Sequence, residues 1–346
     1  MAETLTITQP DDWHLHLRDG AALTTTVPAT ARVFRRAIIM PNLQPPITTV
    51  EHAIAYRERI IAAIPSGVLF EPLMTLYLTD ETSVDDIIAA AQHPHIYACK
   101  LYPANATTHS AQGVTQISRL STIFEAMEKY RLPLLIHGEV TDKHVDIFDR
   151  EQAFIDHVLM PLAHQFSQLP IVLEHITTKH AVQFVMQASP NVAATITVHH
   201  LMLNRNDLLV GGIKPHYYCL PVVKRLEHQM ALIEAATSGN PKFFLGTDSA
   251  PHGLTQKHSA CGCAGIYSAP VALELYAQVF EMADALHRLE DFASHFGADF
   301  YGLARNNQTI TLHKNPWTVP TSYHFANDKV IPFYAGETIS WSINHE

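Results

Sequence analysis

Two histidines near the start of the chain have the residue type and spacing of a metal site. His14 and His16 lie in residues 12–20, and side chains on a strand alternate between its faces, so both imidazoles point the same way. Two adjacent imidazoles can share one metal ion. Arg18 follows at the same spacing and carries a fixed positive charge that suits a carboxylate. Alone, such a pair is more often a solvated strand end.

The elements that would position these residues follow a regular pattern. Short β-rich apolar runs alternate with longer amphipathic runs, which predicts parallel strands joined by crossover helices. The predicted strands are residues 13–17, 37–40, 73–78, 97–101, 134–137, 171–175, 192–197 and 243–246. The predicted helices are residues 50–64, 84–91, 116–130, 149–164, 178–188 and 224–237. Eight such units predict an α/β protein with a closed (β/α)8 TIM-type barrel, and a doubly wound open sheet is the alternative.

Polar residues of metal-binding types recur at the ends of these predicted strands. In a barrel the carboxyl ends of the strands face one cavity, so the side chains there converge. Each residue alone would more often cap a helix or meet solvent, but the set together predicts a metal centre. The candidate ligands are His14, His16, Lys100, His137, His175 and Asp248.

Lys100 is the unusual member of this set, because a free ammonium ion would repel divalent metals. Reaction of its amine with CO2 would give an anionic carbamate whose two oxygens could bridge two metal ions. The alternative is that unmodified Lys100 forms an ion pair with Asp248 or with a substrate.

The composition narrows the class of protein. The formal net charge of −10 argues against a nucleic-acid partner. We find no apolar run long enough to cross a bilayer, and the first residues lack the basic and apolar segments of a secretory signal, so a cytoplasmic protein is expected. The four cysteines are too few and too unevenly spaced for a disulfide framework.

Two further groups of residues contribute less to the functional interpretation. Cys261 and Cys263 with His258 could form a second metal site, but a small flexible loop is the preferred interpretation. Most other histidines are predicted at the surface, for example His93, His95, His180 and His228. Residues 1–346 are expected to form a single domain, with a C-terminal tail of about residues 305–346 packed on the barrel.

The motifs together resemble the amidohydrolase superfamily, and within it the shorter, separately encoded bacterial dihydroorotases. The resemblance covers essentially the whole chain. It rests on HLHLRD at residues 14–19, MPN at 40–42, KLYP at 100–103, HGE at 137–139, EH at 174–175, GTDSAPH at 246–252 and CGCAG at 261–265.

The resemblance implies a binuclear zinc centre at the carboxyl ends of the strands. His14, His16, Lys100 and Asp248 would bind the more buried ion. Carboxylated Lys100, His137 and His175 would bind the second, and a hydroxide would bridge the two. Asp248 would also be catalytic, as a proton shuttle.

The resemblance also implies a small-molecule substrate and a homodimer. The activity would be the reversible cyclisation of N-carbamoyl-L-aspartate to L-dihydroorotate in pyrimidine biosynthesis. Arg18, Asn42 and His252 would hold the substrate carboxylate, and the backbone of Leu220 and Ala264 would meet the ring amide edge. The metal ligands His16 and His137 would also border the substrate. Thr107 and Thr108 match a mobile loop that closes over it.

Three other functions compete with this interpretation. A hydantoinase would share the metal residues, but a neutral ring does not need a carboxylate clamp. An inactive barrel scaffold would be expected to lose metal residues, and all six candidates are present. A metal-storage protein is the third alternative.

Overall fold

The structure is a computed structural model that describes residues 3–260 and 262–343. Its strands are β1 (Thr4–Thr8), β2 (Asp11–Leu15), β3 (Arg36–Ile39), β4 (Glu71–Tyr77), β5 (Ile96–Leu101), β6 (Leu134–His137), β7 (Ile171–Glu174), β8 (Val192–Ile196), β9 (Phe243–Leu245), β10 (Thr309–His313), β11 (Trp317–Thr318), β12 (Tyr323–Phe325), β13 (Asp328–Val330), β14 (Thr338–Ile339) and β15 (Ser342–Ile343). Strands β2 to β9 form one parallel sheet in chain order.

Helices connect these strands. They are α1 (Leu23–Ala31), α2 (Val50–Ala62), α3 (Val84–Gln92), α4 (Ser121–Tyr130), α5 (Arg150–Phe154), α6 (Met160–Gln165), α7 (Lys179–Gln187), α8 (Val198–Met202), α9 (Arg205–Leu209), α10 (Leu226–Thr237), α11 (Leu254–Lys257), α12 (Ala272–Met282) and α13 (Phe296–Phe300). A π-helical turn, Ile155–Leu159, joins α5 to α6. Among the described residues, no helix is long and apolar enough to cross a membrane.

The predicted (β/α)8 barrel is confirmed, and the corrections concern element boundaries. The first barrel strand, β2, ends at Leu15 and not at residue 17, and its register against β3 shifts between Asp12 and Leu15. The strand predicted at 171–175 ends at Glu174, because His175 has a positive φ of 42° that no strand adopts. His16 and His175 therefore stand just beyond their strands.

One residue from each barrel strand fills the lower interior of the barrel. This layer consists of Trp13, Ile38, Leu73, Ala98, Leu135, Val172, Ala193 and Phe244. Because strand side chains have a period of two, the next inward positions on β5, β6 and β7 are Lys100, His137 and Glu174. The apolar layer thus forms the floor beneath three polar residues, and this explains their complete burial.

The barrel closes where residues 12–16 meet residues 247–249, a contact that we call the closing seam. The backbone N–H of Asp248 donates to the His14 carbonyl at 2.8 Å, and that of His16 donates to the Ser249 carbonyl at 3.1 Å. Below them the buried Asp12 carboxylate accepts from the backbone N–H and the hydroxyl of Thr247. The seam therefore joins the first and last barrel strands beside the candidate metal ligands.

The C-terminal region forms small sheets against the barrel. Strand β10 pairs antiparallel with β1 and with β15, and β11–β14 and β12–β13 form two further pairs. The Trp341 indole is fully buried and donates to Glu281 on α12 at 3.1 Å. That this tail belongs to a single domain spanning the chain stays our interpretation.

Asp12→Ala is expected to loosen the closing seam. The substitution leaves buried donors of Thr247 without their acceptor, so the free energy of unfolding should fall by about 3 kcal/mol. Denaturant unfolding measures this loss. Asp80→Ala is the matched control, since Asp80 accepts the same two bonds from Thr115 at an exposed site. Equal losses in the two variants would contradict the importance of the seam.

Candidate active site

Four imidazoles form a continuous row at the carboxyl end of the barrel. The ring centroids of His16 and His14 lie 5.2 Å apart, those of His14 and His175 lie 4.9 Å apart, and those of His175 and His137 lie 4.9 Å apart. All four side chains are buried. Residues from three different strand ends thus meet, as the sequence predicts.

Three potential ligand atoms converge at one end of the row. The Nε2 atoms of His14 and His16 lie 3.2 Å apart, and Asp248 Oδ1 lies 3.3 Å from the first and 3.1 Å from the second. Such buried nitrogens would repel each other through their lone pairs unless a proton or a cation lies between them. The donor set of two imidazoles and one carboxylate suits zinc.

Neighbouring oxygens orient three of the four histidine rings. The Asn42 Oδ1 atom can only accept, so His16 Nδ1 donates to it at 2.8 Å and leaves Nε2 free. Glu174 lies 3.0 Å from His14 Nδ1, and Glu139 lies 2.8 Å from His137 Nε2. Oxygen partners of this kind orient metal-binding histidines, so the sites fit a bound metal.

The electrostatics of the metal-free chain agree with this arrangement. Burial lowers the pKa of His14, but the carboxylates of Glu174 and Asp248 outweigh burial and raise it to about 9. Burial lowers the pKa of His16 to about 4. Burial would raise the pKa of Asp248, but His14 outweighs it and holds that pKa well below its usual range. A metal must therefore displace a proton from His14.

Lys100 is fully buried and forms an ion pair with Glu174, whose Oε2 atom also faces His14. The sequence left open an ion pair with Asp248 or with a substrate, and the partner in the structure is Glu174. Burial lowers the pKa of Lys100 despite the attraction of Glu174. The amine is therefore closer to its neutral form than an exposed lysine.

Three residues of the site have positive φ angles. Arg18 has φ 62°, His175 has φ 42° and Asp248 has φ 43°. Non-glycine residues rarely adopt this region, and such strain is held only where the surrounding structure fixes it. Each of these residues follows a barrel strand, so the left-handed turn directs its side chain into the site.

The row of histidines opens into a narrow cavity of about 20 Å³, little more than one water molecule occupies. Its lining includes His16, Arg18, Asn42, Tyr102, Thr107, Thr108, His137, His175, Leu220, Asp248 and Ala264. Every predicted substrate-binding residue lies here except His252, which joins the site through Arg18.

Arg18 has two neutral partners. Its Nε donates to the Pro251 carbonyl and its Nη2 to His252 Nε2, each at 2.9 Å. Burial and the Arg18 charge lower the pKa of His252, which keeps that ring neutral and able to accept. The guanidinium charge is therefore available to an anion in the cavity.

Residues 105–109, which we call the lid loop, border the cavity through Thr107 and Thr108. The Ala264 backbone N–H donates to the Thr108 hydroxyl at 3.2 Å, and the Asn42 side-chain amide approaches the Thr108 carbonyl at 3.4 Å. Asn105 and His109 both have positive φ, which marks turns at the two ends of the loop. The structure thus shows the lid loop against the site.

Sequence reasoning assigned no role to several buried groups near the site. Glu174 and Glu139 lie within the EH and HGE motifs. Glu174 directly precedes the candidate ligand His175, and Glu139 follows the candidate ligand His137 by two positions, so this spacing was the available signal. A separate group of potential metal ligands consists of His199, His200 and Cys219. The nitrogens of His200, however, already contact Thr197 at 2.7 Å and the Pro221 carbonyl at 2.9 Å.

The structure also describes part of the second candidate metal site and the histidines that were predicted at the surface. His258 Nε2 lies 3.0 Å from His216 Nε2, and the Cys263 carbonyl accepts from Lys257. Cys261 lies outside the described residues. The histidines predicted at the surface are half-buried, and their rings lie in pairs: His93 with His95 and His180 with His228.

Comparison with known proteins agrees with this geometry. The amidohydrolase family matches residues 8–333. A dihydroorotase of Nitrosococcus oceani is 62% identical over 343 residues, covering 99% of both chains. The solved Campylobacter jejuni dihydroorotase has a TM-score of 0.92 at 37% identity, covering 100% of this chain and 98% of its own. A Saccharomyces cerevisiae dihydroorotase in complex with 5-fluoroorotic acid has a TM-score of 0.90 at 36% identity, with coverage of 99% and 98%.

The barrel, the metal-ligand cluster and the family match together define a metal-dependent hydrolase of the amidohydrolase family. Membership of this family implies a metal cofactor. Within that family, the identity over nearly the full chain shows that this protein belongs to the dihydroorotases, which act on a cyclic amide.

Zinc is expected to stabilise the metal-stripped protein through this cluster. A ligand at 100 times its Kd adds about 2.7 kcal/mol to the free energy of unfolding, so Tm should rise on addition of Zn²⁺. His14→Asn removes a converging nitrogen and should abolish most of this rise. His93→Asn, at a half-buried histidine outside the cluster, is the control. An unchanged rise in His14→Asn would contradict the assignment.

Proposed function

We propose that this chain catalyses the zinc-dependent, reversible cyclisation of N-carbamoyl-L-aspartate to L-dihydroorotate in pyrimidine biosynthesis. Membership of the dihydroorotases and the buried ligand cluster support the proposal. The observation that carries it is Arg18, a cation beside the cluster whose two partners are neutral. A substrate with a carboxylate next to its cyclic amide fits that combination.

The charge and hydrogen-bonding groups suit a carboxylate clamp. An Arg side chain can bind a carboxylate through two parallel hydrogen bonds, which fixes its orientation as well as its charge. His252 contacts Arg18 directly, and Asn42 contacts His16 and lines the same cavity as Arg18, so these two residues are the proposed companions. The yeast relative solved with 5-fluoroorotic acid, also an acid, is consistent with this clamp.

Two zinc ions per chain are proposed for the row of histidines. His14, His16, Asp248 and Lys100 would hold the inner ion, and carboxylated Lys100 would share the second with His137 and His175. When bound, such ions lower the pKa of water to supply a hydroxide nucleophile and polarise a carbonyl. The lowered pKa of Lys100 favours the neutral amine that must react with CO2.

Asp248 is the proposed proton shuttle. Its carboxylate would accept the proton of the attacking hydroxide and deliver it to the departing ring nitrogen. In the biosynthetic direction the same groups act in reverse, and ring closure releases water. The short contacts with His14 and His16 hold this carboxylate against the cluster.

The remaining cavity residues would orient and enclose the ring. Leu220 and Ala264 line the cavity, and we assign their backbone groups to the amide edge of the substrate. Thr107 and Thr108 line this narrow cavity and would move for the substrate to enter. The homodimer implied by the resemblance stays a prediction.

Dihydroorotate turnover, with hydantoin run in parallel, tests the proposal. Arg18→Met should raise the KM for dihydroorotate by about 100-fold, since a charge-assisted pair contributes about 3 kcal/mol. Arg305→Met, at an exposed arginine paired with Asp299, should leave KM unchanged. Turnover of hydantoin alone would instead support a hydantoinase, and turnover of neither substrate by the zinc-loaded protein would refute the proposal.

Asp248→Asn should reduce turnover by about 1,000-fold, because the amide cannot carry the proton. The variant keeps an oxygen in the position of the ligand, so much of the metal should remain, as measured by elemental analysis. Asp80→Asn, at an exposed carboxylate, provides the control. Near-normal turnover in the first variant would exclude the shuttle role.

A further inference from the structure

A buried cation outside the metal cluster connects two loops that border the cavity. Lys257, the last residue of α11, is only 4% exposed. Its Nζ donates to the carbonyls of Tyr218 at 2.9 Å, Cys263 at 2.9 Å and Gly265 at 2.8 Å. An ammonium group has three N–H donors, so these three carbonyls satisfy all of them.

The three acceptors lie close in sequence to Leu220 and Ala264, two residues that line the cavity. Tyr218 precedes Leu220 by two positions, and Cys263 and Gly265 flank Ala264. The Gly265 N–H also donates to the Tyr218 carbonyl at 3.0 Å, which joins the two loops directly. The position of the Lys257 ammonium therefore fixes the spacing of both loops.

Neighbouring contacts make this spacing critical. Gly265 has φ +149°, and a Cβ built there would lie 2.3 Å from the Ala250 carbonyl oxygen, so the loop is pressed against the segment after Asp248. On its other side Ala264 bonds to Thr108 of the lid loop. A small displacement of residues 263–265 would thus alter the cavity edge and the lid contact together.

The chemistry of Lys257 is unusual for a residue with only a packing role. Its acceptors are neutral carbonyls, and burial lowers its pKa to about 8. An apolar side chain of similar length could fill the same space without the desolvation of a charge. That replacement would leave one buried and two partly buried carbonyls without this donor, and all three belong to the loops at the cavity edge.

We propose that Lys257 is a positioning residue, which holds the backbone of Leu220 and Ala264 in place for the amide edge of the substrate and for closure of the lid loop. This inference rests on the proposed function. Lys257 does not contact the reacting atoms, and it acts through the three carbonyls that it binds.

Lys257→Met tests the proposal, because it keeps most of the stem and removes the donors. We expect KM for dihydroorotate to rise at least tenfold, kcat to change less than threefold and zinc content to be unchanged. Lys242→Met is the matched control: Lys242 Nζ also donates to two backbone carbonyls, those of Val185 and Ala188, at the other end of the barrel. This variant should leave KM unchanged.

A second readout separates positioning from general stability. Thr108→Ala should raise KM in the wild-type background and have little further effect in Lys257→Met, because the lid contact at Ala264 is already displaced. If Lys257→Met does not fold, Lys257→Gln, which keeps two donors without the charge, takes its place. A lower Tm with an unchanged KM, or additive effects with Thr108→Ala, would overturn the proposal.

Different results would refute the proposed function and the proposed role of Lys257. Absence of dihydroorotate turnover in both the wild type and Lys242→Met would refute the proposed function itself. Normal turnover in these two proteins, together with an unchanged KM in the Lys257 variants, would refute only the role of Lys257.

Discussion

Closure of the barrel is the constraint on which the candidate site depends. Asp12 and Thr247 are bonded across 235 residues of chain, and the seam that they form holds His14, His16 and Asp248 beside one another. Without closure, these ligands would stand at opposite edges of an open sheet. The hydrogen bonds of the seam thus convert sequence-distant polar residues into one cluster, and their burial makes the cluster costly unless a cation occupies it.

Much of the fold follows from the sequence because its pattern is local. Alternating apolar strands and amphipathic helices predict the barrel, and a period of two explains why Lys100 and His137 face inward. The strand ends were less predictable. The register shift in β2 and the left-handed turn at His175 arise from closure of the sheet and from the crowded cavity, which single-segment patterns do not contain.

The site residues were predictable by type, but their partners were not. The histidines, Lys100 and Asp248 stand out as polar residues at strand ends. Glu174 was recognised only as part of a motif, although it contacts both Lys100 and His14. Lys257 gave no signal, because its partners are backbone carbonyls brought together by folding. The sequence gives the identity of each side chain, whereas the contacts between side chains and backbone depend on the tertiary structure.

The closed cavity has a kinetic consequence. If residues 105–109 close over the substrate as proposed, with Thr108 in contact with Ala264, each catalytic cycle includes their release and return. The opening rate of this segment is therefore an upper bound on turnover. That motion displaces solvent, so an enzyme limited by it would slow in proportion to the viscosity of the medium, whereas one limited by bond breaking would be insensitive to it.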